Sequence, residues 1–365
     1  MKYIDGFRQG DAGKFLGKRI RENAAKLAAA HPPIFIMEVC GSHTMAISRF
    51  GIRDVLPDNV RLLSGPGCPV CVTDAGYIDA ALTLAKRDVI IATFGDMVRV
   101  PGSSDSLADA RSDGADVRVC YSPAQAVDIA AENPDREVVF MAIGFETTIA
   151  PVITLIPSAM ARQLENLSLL TAFKLVPPAL SALIADPEVK VDAFICPAHV
   201  SAIIGSNAYL PYVEQHGVPC VVCGFEPLDI LFGIDNVVSQ FLKGERLLVN
   251  QYNRVVKPDG NRAALALFEK YLIPVDAGWR GIGVIPQSGL GIKDEFEKFD
   301  AAMRFSVSTA GGAPDPGCMC GEVLKGKILP ADCPMFGDAC TPQHPVGPCM
   351  VSSEGSCAAH YKYER

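Results

Sequence analysis

Ile34-Phe-Ile-Met-Glu-Val-Cys40-Gly-Ser-His-Thr44 is an apolar run that halts at a cysteine and a glycine and passes straight into helix-capping residues. Residues 34–39 have the length and the β-branched and aromatic content of a buried strand. Ser42 or Thr44 can accept from the first free amides of a following helix. The unit of strand, tip and helix recurs outward from there. Residues 60–63, 89–93 and 117–119 predict further buried strands, with helices starting near Ser42, Asp74 and Pro123. A second series follows, with strands at 138–143, 168–173, 191–196 and 220–223 and helices at 177–185 and 227–241. Such alternation builds βαβ units, whose parallel sheets are covered on both faces. The expected fold class is α/β, with two Rossmann-like α/β domains and a C-terminal, mainly helical and loop domain. The expected boundaries are an N-terminal helical segment over 1–33, domains over 34–142 and 143–245, and the C-terminal domain over 246–365.

Residues 11–30 predict an amphipathic helix with Phe15, Ile20, Ala24, Leu27 and Ala28 at helical spacing. Past residue 245 the rhythm is lost. Residues 260–305 read as helix and loop, and 311–357 are rich in Gly, Pro and Cys. A segment so poor in core formers needs a metal or a crosslink to hold it.

The chain has 365 residues, 49% of them hydrophobic and 20% charged, with a net charge of −8. That composition is far from disorder, and the negative balance argues against a nucleic-acid partner. The N-terminus has no basic start followed by an apolar core. The longest apolar stretches are broken by Glu146, Lys174 and the Pro177-Pro178 pair, so none reads as a membrane span. These features predict a soluble, cytoplasmic protein without a membrane partner. In a reducing compartment, thirteen cysteines point to metal ligands or redox-active thiols.

The strongest cluster is Cys318, Cys320, Cys333, Cys340, Cys349 and Cys357, all in turn-rich sequence. Four thiolates from loops can enclose a [4Fe–4S] cube, one sulfur ligand per iron. Structural zinc normally takes tight Cys-x-x-Cys knuckles, a spacing that none of these six has. A second signal is Gly65-Pro-Gly-Cys68-Pro-Val-Cys71, ahead of a helix cap at Thr73 or Asp74. Amides at a helix start favour thiolates, so the pair can cycle between dithiol and disulfide or chelate a soft metal. Cys40 ends the first strand, with His43 close enough to exchange a proton with it or its ligand. A protease-like Cys–His nucleophile is the rival, and nothing nearby suggests acyl transfer. Glu146 in Gly144-Phe-Glu-Thr-Thr148 and His199 in Cys196-Pro-Ala-His199 are further candidates. Plain helix starts explain those two as well. Cys220, Cys223 and Cys120 read as buried core. Chemistry-capable residues collect at strand tips, where open parallel sheets bind ligands. No GxxxxGK[ST] or GxGxxG motif is present, so classical nucleotide binding has no support.

Taken together, Cys40-Gly-Ser-His-Thr44, Gly65-Pro-Gly-Cys-Pro-Val-Cys71, Thr93-Phe-Gly-Asp-Met97 with Arg99-Val-Pro-Gly-Ser103, Gly144-Phe-Glu-Thr-Thr148 and the C-terminal cysteines resemble the HypD family of hydrogenase maturation proteins. The resemblance runs from about residue 34 to Tyr363. It implies a scaffold that assembles the Fe(CN)2(CO) group of [NiFe] hydrogenases with the small protein HypC, cyanide being delivered by HypE. It also implies an iron site at Cys40, Cys68 and Cys71 and a [4Fe–4S] cluster on Cys320, Cys333, Cys340 and Cys357, with Cys318 and Cys349 left over. The competing function class is a cluster-dependent thiol–disulfide oxidoreductase using Cys68 and Cys71. A purely structural metalloprotein is the third.

Overall fold

The computed structural model describes Gly6, Arg8, residues 10–28 and residues 32–364. Two strands, β1 (Ile34–Glu38) and β2 (Val60–Ser64), open one sheet in parallel, with Ile36 opposite Leu62. The chain then leaves it. β3 (Val89–Thr93), β4 (Val117–Val119), β5 (Glu137–Gly144) and β6 (Leu167–Lys174) build the parallel part of a second sheet. β7 (Ala193–Cys196), β8 (Cys220–Val222) and β9 (Leu248–Asn250) return to the first, β7 pairing with β1. Finally β10 (Leu272–Trp279) and β11 (Gly283–Ile292) form an antiparallel hairpin on the edge of the second. The orders are β2-β1-β7-β8-β9 and β10-β11-β6-β5-β3-β4.

The α/β class read from the sequence is therefore the observed one, but the domain boundaries need correction. Residue 142 lies inside β5, which pairs with β3 and β6 on either side of it in the chain. The first sheet combines residues from 34–64 with residues from 193–250, so the two α/β units are interleaved rather than consecutive. Local periodicity reports that a strand is buried, not which strand lies beside it. The region from 246 is also no single domain, because β9 completes the first sheet and the hairpin extends the second. The hairpin falls where helix and loop were expected. Pro274, Gly278, Gly283, Pro286, Gly289 and Gly291 are strand breakers by composition. Packing of β11 against β6 supplies what propensity withholds.

The helix expected over 11–30 runs Gly10–Ala28, its last two positions lying outside the described residues. Leu16, Ile20, Ala24 and Leu27 face the core, whereas Phe15 is exposed. This helix packs on the helix Pro227–Lys243, whose Asp235 takes both nitrogens of the Arg19 fork. All five residues of β3 are buried, as a strand sandwiched between helix layers requires. Among the described residues no helix is long and apolar enough to cross a membrane.

Each sheet reverses its direction of growth once, between β1 and β7 in the first and between β3 and β5 in the second. At such a reversal the connections leave in opposite directions and open a crevice beyond the carboxyl ends of the strands. Cys40 follows β1 and Pro197-Ala-His199 follows β7, which ends on Cys196, while Phe94-Gly-Asp96 and Phe145-Glu146 follow β3 and β5. The sequence motifs thus mark the two switch points of the fold.

Candidate metal centre and cysteine sites

Cys40 leaves β1 in extended conformation and is the residue on which the helix Gly41–Arg49 starts. The loop after β2 is clamped against it. The Gly65 amide donates to the Glu38 carbonyl at 2.8 Å, and the Gly41 amide to the Gly67 carbonyl at 2.9 Å. A Cβ at Gly67 would stand 2.1 Å from the Cys40 nitrogen, so only glycine lets the two backbones approach this closely. Two residues further on, Cys68 caps the short helix Pro69–Val72, its sulfur accepting from the Cys71 amide at 3.3 Å. Cys68 and Cys71 are joined as a disulfide with Cα atoms 5.2 Å apart. Cys40, Cys68 and Cys71 are therefore neighbours at the first switch point, and all three are buried.

Burial pushes the Cys40 thiol up to about 12, and the nearby Glu354 carboxylate pushes the same way. Glu354 belongs to the C-terminal segment and accepts from the Ser42 hydroxyl at 2.6 Å. Beneath Cys40 lies Glu38, fully buried, accepting from the Thr44 hydroxyl at 2.6 Å and from the Cys40 amide at 3.2 Å. Burial raises this carboxyl to about 7, against the pull of those hydrogen bonds. Neither glutamate was singled out from sequence. A carboxylate inside the apolar run 34–39 is the signal that could have found Glu38.

His43 is fully buried, and burial pushes it down to about 4. Its Nε2 faces the carbonyls of Cys223 at 3.2 Å and Gly224 at 3.0 Å. Both are acceptors only, so Nε2 carries the proton and Nδ1 holds the lone pair. Nδ1 is buried with no hydrogen-bond partner. The Cys223 sulfur is 3.8 Å from Nε2. Cys223, Cys220 and Cys120 are buried, as read from the sequence. The Phe225 ring lies between the rings of His43 and His199, at 4.7 and 4.4 Å. His199 itself is exposed. Cys40, His43 and His199 thus gather at one end of the first sheet.

Glu146 sits in other surroundings. It begins the helix after β5, is fully buried, and accepts from the Val176 amide at 3.0 Å. The cavity it lines is walled by Leu175, Pro177, Pro178, Ile204, Phe268 and Leu290. The structure does not show it beside the cysteines.

All six C-terminal cysteines, Cys318, Cys320, Cys333, Cys340, Cys349 and Cys357, line one cavity with Val323, Met335, Phe336 and Met350. Cys320 is within hydrogen-bonding reach of Cys318 and Cys349, and Cys349 of Cys357. The neighbouring thiols hold Cys320 well below the usual thiol range. The donor set is sulfur alone, set in apolar walls, which suits a thiolate-ligated iron–sulfur cluster. The four residues singled out from the family pattern are all on this cavity, and so are the two spare ones. Among the described residues no three side chains already converge on a single metal ion. The helix Pro348–Val351 packs on Pro69–Val72, and Ser356–Tyr363 on Gly41–Arg49. Arg99 donates to the carbonyls of Pro342 at 2.6 Å and Gln343 at 3.2 Å, and Ser352 to Asp96 at 3.3 Å. The Phe94-to-Ser103 motif is therefore a clamp on the cysteine-rich segment.

The profile of the family described as HypD, hydrogenase formation hypA family, matches residues 15–364. The chain belongs to the HypD family. It is similar to the hydrogenase maturation factor HypD of Azotobacter vinelandii, 46% identical over 376 residues covering 100% of this chain and 97% of that protein. The HypD of Escherichia coli is 43% identical over 368 residues, with 100% and 99% covered. A putative hydrogenase expression/formation protein of Methanocaldococcus jannaschii is 42% identical over 348 residues, 95% of this chain and 97% of that one. The HypD family is one of hydrogenase maturation factors, and similarity to its members extends across both sheets and the cysteine-rich segment.

Proposed function

We propose that the chain is the scaffold on which the Fe(CN)2(CO) group of [NiFe] hydrogenases is assembled, in complex with HypC and with cyanide delivered by HypE. The observation that carries this reading is the juxtaposition of Cys40 with Cys68 and Cys71 at the switch point of the first sheet. Iron is the substrate here. As a disulfide, Cys68 and Cys71 offer it no thiolate, so the pair must first gain two electrons and two protons to become two thiols. Cys40 with the reduced pair then supplies three soft donors suited to iron with diatomic ligands. Cys320, Cys333, Cys340 and Cys357 would hold a [4Fe–4S] cluster, with Cys318 and Cys349 beside them. When bound, that cluster supplies electrons.

His43 keeps its Nδ1 buried without a partner, and burial holds the ring neutral beside the site. Glu38 fixes the backbone at Cys40 and the start of its helix through the Cys40 amide and Thr44. The oxidoreductase alternative is less well supported, because Cys68 and Cys71 are 3% and 0% exposed. An external disulfide cannot be attacked by sulfurs so covered.

Infrared spectroscopy on the protein purified with HypC and HypE tests the proposal. Cyanide and carbonyl stretches are expected in the parent and absent from Cys40→Ala, with the visible cluster absorption kept in both. Unchanged stretches in Cys40→Ala would move the iron elsewhere.

A further inference from the structure

Where the hairpin β10–β11 meets β6 and the start of the helix Ala75–Ala85, the chain encloses a cavity of about 370 Å³. It is lined by Lys174, Asp74, Asp276 and Asp300 among other residues. Most of its charged groups are committed. Asp276 accepts from the Gln287 amide at 2.9 Å, and Asp300 caps a helix through the amides of Ala302 at 2.8 Å and Met303 at 3.2 Å. The Tyr77 hydroxyl donates to the Leu170 carbonyl at 2.8 Å. Lys174 and Asp74 differ. Neither side chain makes a hydrogen bond or an ion pair with any described residue, although Lys174 is only 4% exposed. Its ammonium lies over the face of Trp279, 5.7 Å from the ring centroid.

Burying an unpaired ammonium is costly, and a carboxylate within reach would normally close on it. Each group feels the other's charge, and Asp74 that of Arg280 as well, yet neither cation closes on the carboxylate. Lys174 is held in β6 opposite Gly289, and Asp74 precedes a helix whose Gly76 amide is tied to the Gly311 carbonyl at 2.8 Å. Gly278 leaves room for the carboxylate, since a Cβ there would lie 1.9 Å from Asp74 Oδ2. We propose that this cavity binds a small molecule carrying a hydrogen-bond acceptor and a donor a few atoms apart, of the amino-acid or primary-amide class, the acceptor held by Lys174 and the donor by Asp74. A bare anion would satisfy the lysine and face the aspartate, and a bare cation would do the reverse. Only a two-handed ligand answers both. The site is separate from the cysteines and stands whether or not they carry iron.

Trp279 is the only tryptophan of the chain, so its emission reports on the ammonium beside it. The full-length protein, isolated anaerobically, is titrated with glycine, acetamide, acetate and methylammonium. Saturable changes are expected from glycine or acetamide, and which of the two binds separates zwitterion from neutral amide. The one-handed probes should bind about tenfold more weakly or worse, the loss of one charge-assisted hydrogen bond. Lys174→Met and Asp74→Asn should each weaken binding by about the same factor. Lys174→Met should also keep or raise the melting temperature, because it removes an unpaired buried charge. If that variant does not fold, Asp74→Asn, at a half-exposed position, carries the test alone. Acetate binding as tightly as glycine, no saturable response to any probe, or Lys174→Met losing stability while keeping affinity would each overturn the proposal.

Discussion

At Glu146 one carboxylate oxygen accepts from the Val176 amide and the other is buried without a partner. Burial raises this group from 4.5 to about 7. Between those two values the folded protein holds a proton that the unfolded chain releases. The stabilisation is therefore complete below pH 4.5 and is lost as pH rises through 7. His43 works in the opposite sense. Burial lowers it to about 4, so its contribution is lost as pH falls from 6.5 towards 4. Glu146→Gln should remove Glu146's share of the first dependence and leave that of Glu38, which burial also raises to about 7, together with the second. Melting curves at a series of pH values should show the variant gaining on the parent from pH 5 to pH 8, by up to roughly 3 kcal/mol. A constant difference across that range would mean that Glu146 is ionised in the folded state.

Elements meet at Cys40 in a way no single one of them specifies. The helix Gly41–Arg49 and the C-terminal loop around Glu354 touch so closely that a Cβ at Gly41 would lie 2.5 Å from the Glu354 Cβ. Glu354 both covers the thiol and disfavours its ionisation. Glu354→Gln keeps an acceptor for Ser42 and removes the charge. Cys40 in that variant should react with iodoacetamide several-fold faster at pH 8, with a lowered apparent pKa, since each unit of pKa is about tenfold in thiolate. Mass spectrometry of the peptide containing Cys40 reads this directly. An unchanged rate would mean that access, not charge, controls the thiol. The clamp made by Arg99 and Asp96 belongs to this scale too, because it docks one segment on another.

For the molecule as a whole, each sheet has a core of its own on one face, and a third core joins both sheets to the cysteine-rich segment, whose contribution is mostly cysteines with few other apolar side chains. On the reading proposed above, a cluster staples that segment in place. Cys333→Ala should then lose the cluster's iron and the broad visible absorption. Hydrogen exchange should accelerate across residues 318–357 while β1, β3, β5 and β7 keep their protection. Stoichiometric zinc in the anaerobically purified parent, or unchanged protection of the segment in the variant, would defeat the staple.

The strands up to residue 223 follow from local pattern, because a fully covered parallel strand must be apolar along its length and each tip must break it; short helices such as Leu107–Ser112, Leu155–Ala161 and Leu210–His216 carried no such signal. The close succession of Cys40 and its helix cap, and the Gly-Pro-Gly loop before Cys68, were legible for the same reason. Which sheet each strand joins was not. β1 pairs with β7 across more than half the chain's βαβ rhythm, a choice made by long-range burial that leaves no periodic trace. The hairpin β10–β11 escaped because tertiary pairing overrides its glycines and prolines. The roles of Glu354 and the unpaired Lys174 were invisible for a further reason. What a buried charge does depends on which groups come within hydrogen-bonding reach, and that is decided only when distant segments pack.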